Sequence, residues 1–116
     1  MRLLAAFRNT CAGLAHAGRH ERAVRQELAL LAIALPLSLV VGTGVWDRVA
    51  LIASILLMLA VELLNTCVEK LCDHVTPQIH PQVKIVKDMG SAAVFCAICV
   101  AGLVWVAALA ARLGVV

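Results

Sequence analysis

The stretch VELLNTCVEKLCD, residues 61–73, places polar side chains at helical spacing inside an otherwise apolar segment. Glu62, Asn65, Glu69 and Asp73 follow one another at intervals of three, four and four residues. At about 100° per residue, the four side chains fall within roughly 80° of one another on one face of a helix. A carboxylate in a membrane helix is costly and usually marks a proton, ion or substrate site. This face is therefore the candidate site.

The two glutamates of this face are predicted to lie at different depths and to have different roles. Seven residues separate Glu62 from Glu69, which is about 10 Å along a helix axis. If the helix runs inward, Glu62 is the deeper carboxylate, and a partly desolvated carboxylate is suited to act as a general base. Glu69, nearer to Asp73 and to water, is suited to bind a hard cation through oxygen. The alternative is that Glu62 and Asn65 only join helices by hydrogen bonds.

Further charged and polar residues flank the apolar segments at the same predicted level. They favour phosphoryl transfer, in which carboxylates hold Mg²⁺, cations offset phosphate charge and a base receives the proton of the attacking hydroxyl. No glycine-rich phosphate loop is present, which excludes the P-loop and protein-kinase classes. Asp88 has a simpler alternative as an acidic residue in the first turn of a helix. Lys70 and Lys84 are predicted to be snorkelling anchors. The flanking residues are Glu21, Arg25, Gln26, Glu27, Lys87 and Asp88.

The elements that must position these residues are predicted to be membrane helices. The chain is 63% hydrophobic, 15% charged and 3% aromatic, whereas soluble domains are about 45–50% apolar. Three apolar segments, at about 28–46, 49–72 and 88–112, are each long enough to cross about 30 Å of hydrocarbon as a helix. We therefore predict an all-α integral membrane protein, residues 1–116, with one domain and three transmembrane helices.

The N-terminal segment, residues 2–25, is predicted to form an amphipathic surface helix. Leu3, Phe7, Cys11 and Leu14 form one apolar stripe, and the basic residues lie mostly off it. Such a helix can lie in the headgroup layer with its cations on anionic lipid. The alternative is an amphipathic helix packed on a soluble partner. A cleavable signal is not expected, because Arg8 interrupts the first apolar run.

The charge distribution predicts an orientation in the membrane. Eight of the ten basic residues lie before the first span or around the loop between the second and third spans. The positive-inside rule makes that side cytoplasmic, with the N-terminus cytoplasmic and the C-terminus periplasmic. These charges are juxtamembrane and have no aromatic companions, so no nucleic-acid partner is expected. Cys96 and Cys99 form a mid-span CxxC without a second ligand pair and are predicted to be packing residues.

Three motifs together resemble the bacterial integral-membrane diacylglycerol kinase family. They are VELLNTCVEKLCDHV from residue 61, VKDMGSAAV from residue 86 and HERAVRQE from residue 20, and the resemblance covers nearly the whole chain. It implies a homotrimer of three transmembrane helices and a surface helix per subunit, located in the cell inner membrane. It also implies an enzyme that uses MgATP to phosphorylate the lipid diacylglycerol to phosphatidic acid.

The resemblance further implies a role for individual residues. Glu62 becomes the general base for the lipid hydroxyl, and Glu21 and Glu69 become the ligands of Mg²⁺. Pro81 and Ile85 depart from the polar residues that relatives tend to carry, so the resemblance assigns no contacts on the adenine side. The implied nucleotide-binding residues are Arg2, Asn9, Glu21, Glu69, Lys87 and Asp88; the lipid-binding residues are Arg2, Gln26, Glu62, Ser91 and Trp105; and Asn65 and Asp73 support the network.

Three other functions are alternatives. An undecaprenol kinase of the same fold is one, although such relatives usually read more like KDxAAGA than KDMGSAAV. A small ion- or proton-coupled transporter would explain an intramembrane glutamate, but not a Lys-Asp pair at the cytoplasmic face or a basic surface helix. A purely structural or pore-forming oligomer would tolerate the substitution Glu62→Gln.

The active sites are predicted to be shared between subunits. One chain would have to gather Glu21, Glu62, Glu69 and Lys87 around a nucleotide and also shield Glu62 from lipid. Packing of the second spans around a three-fold axis hides the polar face and repeats the same cleft three times. The resemblance implies the same arrangement.

Overall fold

A computed structural model of the chain describes all residues, 1–116, and contains four helices and no strand. In chain order the helices are α1 (Arg2–His20), α2 (Arg22–Val41), α3 (Val45–Val75) and α4 (Pro81–Arg112). The prediction of an all-α fold is confirmed. Helices α2, α3 and α4 are long and apolar enough to cross a membrane, in agreement with the three predicted spans.

A break at Glu21 separates α1 from α2 and divides the segment predicted as one surface helix. Glu21 has an extended backbone, with φ of −114° and ψ of 115°. The Arg25 guanidinium donates to the carbonyl oxygens of Gly18 at 3.3 Å and Arg19 at 3.2 Å. These carbonyls lie at the end of α1, where the helix itself supplies no donor. The N-terminal helix therefore ends at His20, and residues 22–25 begin α2.

A short turn at residues 42–44 connects α2 to α3. Helix α2 ends at Val41, before the predicted end of the first span at residue 46. Arg48 Nη2 donates to the carbonyl oxygens of Leu39 and Gly42, each at 3.3 Å. A Cβ atom at Gly42 would come within 2.8 Å of the Ser38 carbonyl oxygen, so only glycine fits this turn without a shift.

Helices α3 and α4 form a long antiparallel hairpin that continues beyond the predicted spans. At 31 and 32 residues, each extends about 45 Å, more than the roughly 30 Å of hydrocarbon. Only residues 76–80 separate the two helices. Pro81 begins α4, where its missing N–H would have no helical partner, and His80 Nδ1 accepts a hydrogen bond from the Gln82 N–H at 3.1 Å. The hairpin end thus brings residues 62–73 near residues 84–90.

Two small apolar clusters hold the helices together. One joins α1, α2 and α3 through Ala17, Val24 and Leu59. Of the 116 residues only 16 are buried, and Ala97 and Ala101 are the only buried residues of α4. The large apolar surface of α4 is therefore free to face lipid or another protein chain. The second cluster joins α2, α3 and α4 and consists of Ala34, Ile55, Met58, Ala97 and Ala101.

Candidate active site

Four carboxylates come together where the junction of α1 and α2 meets α3. Glu62 is only 9% exposed, and the charges of Glu21 and Glu69 act on it. Glu27, on the first turns of α2, lies within electrostatic range of Glu62 as well. Three of these residues were candidates from the sequence, whereas Glu27 had been given no individual role. The arrangement concentrates negative charge around one buried carboxylate.

Glu21 reaches this cluster because the helix break places it against α3. The apolar contact of Ala17 and Val24 with Leu59 holds both sides of the break on α3. The Glu21 Oε1 atom pairs with Lys70 Nζ at 2.8 Å. The structure gives Lys70, which is predicted to be a snorkelling anchor, a carboxylate partner from another element.

Asn65 connects α3 to α4 and also contacts Glu69. Its Nδ2 atom donates to Glu69 Oε1 at 3.1 Å, which is a hydrogen bond between side chains one helical turn apart. The Asn65 Oδ1 atom is buried without a partner and lies where a Cβ atom at Gly90 would be. The absence of a side chain at Gly90 therefore lets Asn65 lie on the α4 backbone and orient Glu69.

A second polar group lies at the end of the hairpin. Lys87 pairs with Asp73 and Lys84 pairs with Asp88, each at 2.7 Å. These four residues line a cavity of about 250 Å³. The charge of Glu69 also acts on Lys87, so Glu69 connects this group to the carboxylate cluster. The structure thus brings Lys87 and Asp88 to the same end of the hairpin as the acidic residues.

The carboxylate oxygens of the cluster are of the donor type that Mg²⁺ prefers. No group of three His, Cys, Asp or Glu side chains forms a metal cage in this chain. Mg²⁺ usually needs only one or two carboxylates, because substrate phosphates and water complete its octahedron. Two buried oxygens, Glu27 Oε2 and Asn65 Oδ1, have no hydrogen-bond partner. Glu21 and Glu69 can serve as the two carboxylates provided that Glu21 releases Lys70.

A long cleft between α1 and α3 adjoins the carboxylates. Its volume is about 620 Å³, and leucines of both helices form much of its wall. Asn9 lies along it, and Glu21, Thr66 and Lys70 form a polar end. An apolar cleft with a few polar groups at one end is typical of sites for small amphiphilic ligands.

Other predicted site residues are not gathered around Glu62 within one chain. Arg2 begins α1, so it lies about 27 Å along the helix from the Glu21 end. The half-buried Trp105 donates through Nε1 to the Leu51 carbonyl oxygen and to Ser54 Oγ, each at 3.2 Å. Ser54 lies about 12 Å along α3 from Glu62. Gln26 and Ser91 are exposed on the chain surface.

Sequence reasoning missed three contributors to the site. Glu27 was noted as one of several charges near the first span, but a buried oxygen cannot be inferred from its position. The pairing of Lys70 with Glu21 joins residues far apart in the chain. The contact of Gly90 with Asn65 joins two helices. The small residues from Gly90 to Ala93 predict a close approach of another helix, but local spacing identifies neither Asn65 nor Lys70 as a contact partner, because both contacts depend on how the helices pack.

Comparison with known proteins identifies the family of the chain. A family model described as prokaryotic diacylglycerol kinase matches residues 8–109. A diacylglycerol kinase of Haemophilus influenzae is 40% identical over 93 residues, which cover 80% of this chain and 79% of that protein. The diacylglycerol kinase of Pseudomonas aeruginosa is 39% identical over 104 residues, covering 90% of this chain and 85% of that protein. That of Escherichia coli K12 is 38% identical over 93 residues, covering 80% and 76%. The chain belongs to the prokaryotic diacylglycerol kinase family.

Proposed function

We propose that this chain is an ATP-dependent kinase that converts diacylglycerol to phosphatidic acid. The observation that carries the proposal is the cluster of carboxylates around the buried Glu62, in a chain whose relatives are named diacylglycerol kinase. The cluster lies at the start of α2 and in the C-terminal half of α3, and both helices are apolar enough to cross a membrane. A lipid hydroxyl at the membrane surface and a nucleotide from water can both reach that level.

Glu62 acts as the general base in this proposal. The primary hydroxyl oxygen of diacylglycerol attacks the γ-phosphorus of ATP, and the bond from that phosphorus to the bridging oxygen breaks. ADP leaves, and the hydroxyl proton passes to the Glu62 carboxylate. The burial of Glu62 keeps bulk water from competing with the lipid hydroxyl.

Glu21 and Glu69 would hold Mg²⁺ beside the ATP phosphates, and the ion would offset the negative charge of the phosphoryl groups. Asn65 fixes the direction of Glu69 through its hydrogen bond. Lys87, now paired with Asp73, would contact the transferring phosphoryl group. Asp73 supports the network as the partner of that lysine. The other proposed nucleotide-binding residues are Arg2, Asn9 and Asp88.

The lipid-binding residues are proposed from the same pattern. Glu62 contacts the reacting hydroxyl, and the apolar cleft beside Glu21 can accommodate apolar parts of the lipid. Trp105 is hydrogen-bonded to α3 well away from Glu62. It would contact the lipid nearer to the ends of the acyl chains. The proposed lipid-binding residues are Arg2, Gln26, Glu62, Ser91 and Trp105.

We propose that three chains assemble into a homotrimer with shared active sites. Two observations support this: α4 has only two buried residues, and Arg2 lies far from Glu62 within its own chain. The orientation proposed from the charges places the N-terminus in the cytoplasm and the C-terminus in the periplasm, across the inner membrane. Helix α1, with Leu3 82% and Phe7 65% exposed, is proposed to lie on the membrane surface as an amphipathic helix.

Transfer of labelled phosphate distinguishes this function from its rivals. Purified protein in mixed micelles is incubated with Mg²⁺ and γ-labelled ATP, with diacylglycerol, with undecaprenol or without lipid. We expect label in phosphatidic acid and little ATP consumption without lipid. Preferential labelling of undecaprenol would favour the related kinase. The absence of labelled lipid, together with ion movement in proteoliposomes, would favour a transporter.

A further inference from the structure

The ion pair between Lys70 and Glu21 lies inside the proposed metal site. The two charged atoms are 2.8 Å apart, and the side chains are 55% and 28% exposed, respectively. The pair joins α3 to the break between α1 and α2, so helix packing rather than local spacing creates it. Lys70 also follows Glu69 directly in the chain and lines the same cleft as Glu21.

Lys70 and a metal ion would compete for the same carboxylate. An ammonium at 2.8 Å from Glu21 Oε1 and a Mg²⁺ ion on the same carboxylate would repel each other at short range, so each cation weakens the binding of the other. The lysine is a compact charge on a flexible stem, so it can move away when the metal arrives.

We propose that Lys70 is a resident counter-ion of Glu21 that the metal displaces, and that the released ammonium then contacts the nucleotide phosphates. The inference rests on the proposed function, in which Glu21 is a ligand of Mg²⁺. Lys70 would thereby raise the metal concentration needed for half-saturation and lower the nucleotide concentration needed. It is a positioning residue before the metal binds and a phosphate contact afterwards.

The charges around the site explain why such a counter-ion is useful. The charges of Glu21 and Glu69 act on Glu62, and the charge of Glu62 acts on Glu27, so like charges repel around Glu62. Lys70 is the one cation that forms an ion pair with any of these four side chains. While no metal is bound, Lys70 therefore keeps Glu21, the residue between α1 and α2, in contact with α3.

A purely structural role of the ion pair between Lys70 and Glu21 leads to a different expectation for metal binding. If Lys70 only anchors α1 on α3, its removal loosens Glu21 and leaves metal binding weaker or unchanged. If Lys70 competes with the metal, its removal makes metal binding tighter. Because exposed ion pairs change an equilibrium by about twofold to fivefold, we expect a decrease of that size in the half-saturating metal concentration.

The test measures metal binding directly on the full-length protein. Mn²⁺ is titrated into protein in micelles without nucleotide, so that no phosphate binds the ion and Lys70 affects only the competition for Glu21, and free Mn²⁺ is followed by electron paramagnetic resonance. For Lys70→Met we expect half-saturation at about twofold to fivefold lower Mn²⁺, together with a higher KM for ATP in steady-state assays. Lys70→Arg should restore both values toward those of the parent protein, because it keeps the charge.

Two variants control this measurement. Arg22→Gln removes an exposed positive charge next to Glu21 in the chain, and Arg22 forms no ion pair. It should bind Mn²⁺ like the parent protein if direct contact matters rather than total charge. Glu21→Gln should weaken Mn²⁺ binding. The thermal melting of each variant verifies that it is folded.

The outcomes separate failure of this inference from failure of the proposed function. Unchanged or weaker Mn²⁺ binding in Lys70→Met, with weaker binding in Glu21→Gln, overturns the counter-ion role and leaves the metal site intact. Equal tightening in Arg22→Gln also overturns it. Parental binding in Glu21→Gln, or no Mn²⁺ binding by the parent protein, removes Glu21 from the proposed metal site and the role of Lys70 with it.

Discussion

Replacing Gly90 by alanine should disconnect Asn65 from Glu69. A Cβ atom at this position would take the place of Asn65 Oδ1 and come within 3.3 Å of Asn65 Cγ. Asn65 is only 9% exposed, so its amide can relieve the overlap only by rotating away from α4 or by moving the helices apart. Rotation of the amide breaks the hydrogen bond that Asn65 donates to Glu69 at 3.1 Å within α3, whereas separation of α3 from α4 weakens the packing of the two helices.

The expected effect of Gly90→Ala on stability and on Mg²⁺ binding follows from two contacts: the packing of Asn65 on Gly90 and the hydrogen bond from Asn65 to Glu69. Overpacking of a close helix contact costs about 1–3 kcal/mol, which should appear as a lower melting temperature. A hydrogen bond to a charged group contributes about 1.5–3 kcal/mol. Glu69 is exposed and can bond to water instead, so we expect the lower part of that range. A loss of about 1.4 kcal/mol corresponds to a tenfold change in an equilibrium, and we expect about a tenfold higher half-saturating Mg²⁺ concentration.

The assay is phosphorylation of diacylglycerol at increasing Mg²⁺, with thermal unfolding of the same samples. The matched control is Gly102→Ala, because a Cβ atom at that glycine of the same helix meets nothing within 4 Å. It should behave like the parent protein. In an Asn65→Ala background, Gly90→Ala should add little to the Mg²⁺ effect, since the two changes break the same contact. If Gly90→Ala matched Gly102→Ala in both Mg²⁺ dependence and melting temperature, the proposed connection would be refuted.

Three further predictions test the metal, the orientation and the assembly. Glu69→Gln and Glu21→Gln should each weaken the response of activity to Mg²⁺, because a hard cation loses a charged ligand; parental half-saturation and maximum rate in both variants would contradict the assignment. In a cysteine-free variant, single thiols near Pro77 and near Gly44 should react with an impermeant reagent from opposite sides of the membrane, and reaction of the Gly44 turn from the cytoplasm would invert the orientation. Inactive Glu21→Gln and Glu69→Gln chains should regain partial activity when unfolded and reassembled together, if the two residues serve one site from different chains; mixed trimers that stay inactive at every ratio would place this pair within one chain.

Local geometry explains which parts of the site could be predicted from the sequence. Glu62, Asn65 and Glu69 share a face because helical spacing fixes their relative directions, and Asn65 contacts Glu69 one turn away. The contacts of Glu21 with Lys70 and of Gly90 with Asn65 depend on helix packing. Periodicity within one helix carries no information about such contacts.

Helix ends were harder to predict than helices. The apolar pattern follows the thickness of a membrane, whereas α4 begins at Pro81 and runs through polar residues before it becomes apolar. Helix α1 ends at His20 without a glycine or proline, because Arg25 satisfies its last carbonyl groups from the next helix. That interaction is visible only once both helices are placed.

The most direct test of the account is the rate of phosphatidic acid formation by the parent protein and by Glu62→Gln. Both are measured at saturating Mg²⁺, ATP and diacylglycerol, with assembly and nucleotide binding verified in the same preparations. Since general bases contribute about 10²–10⁴ in rate, the account predicts that Glu62→Gln lowers kcat at least about a hundredfold while assembly and nucleotide binding remain intact. A variant that assembles, binds nucleotide and forms phosphatidic acid at close to the parental rate would contradict the role of Glu62 as the base.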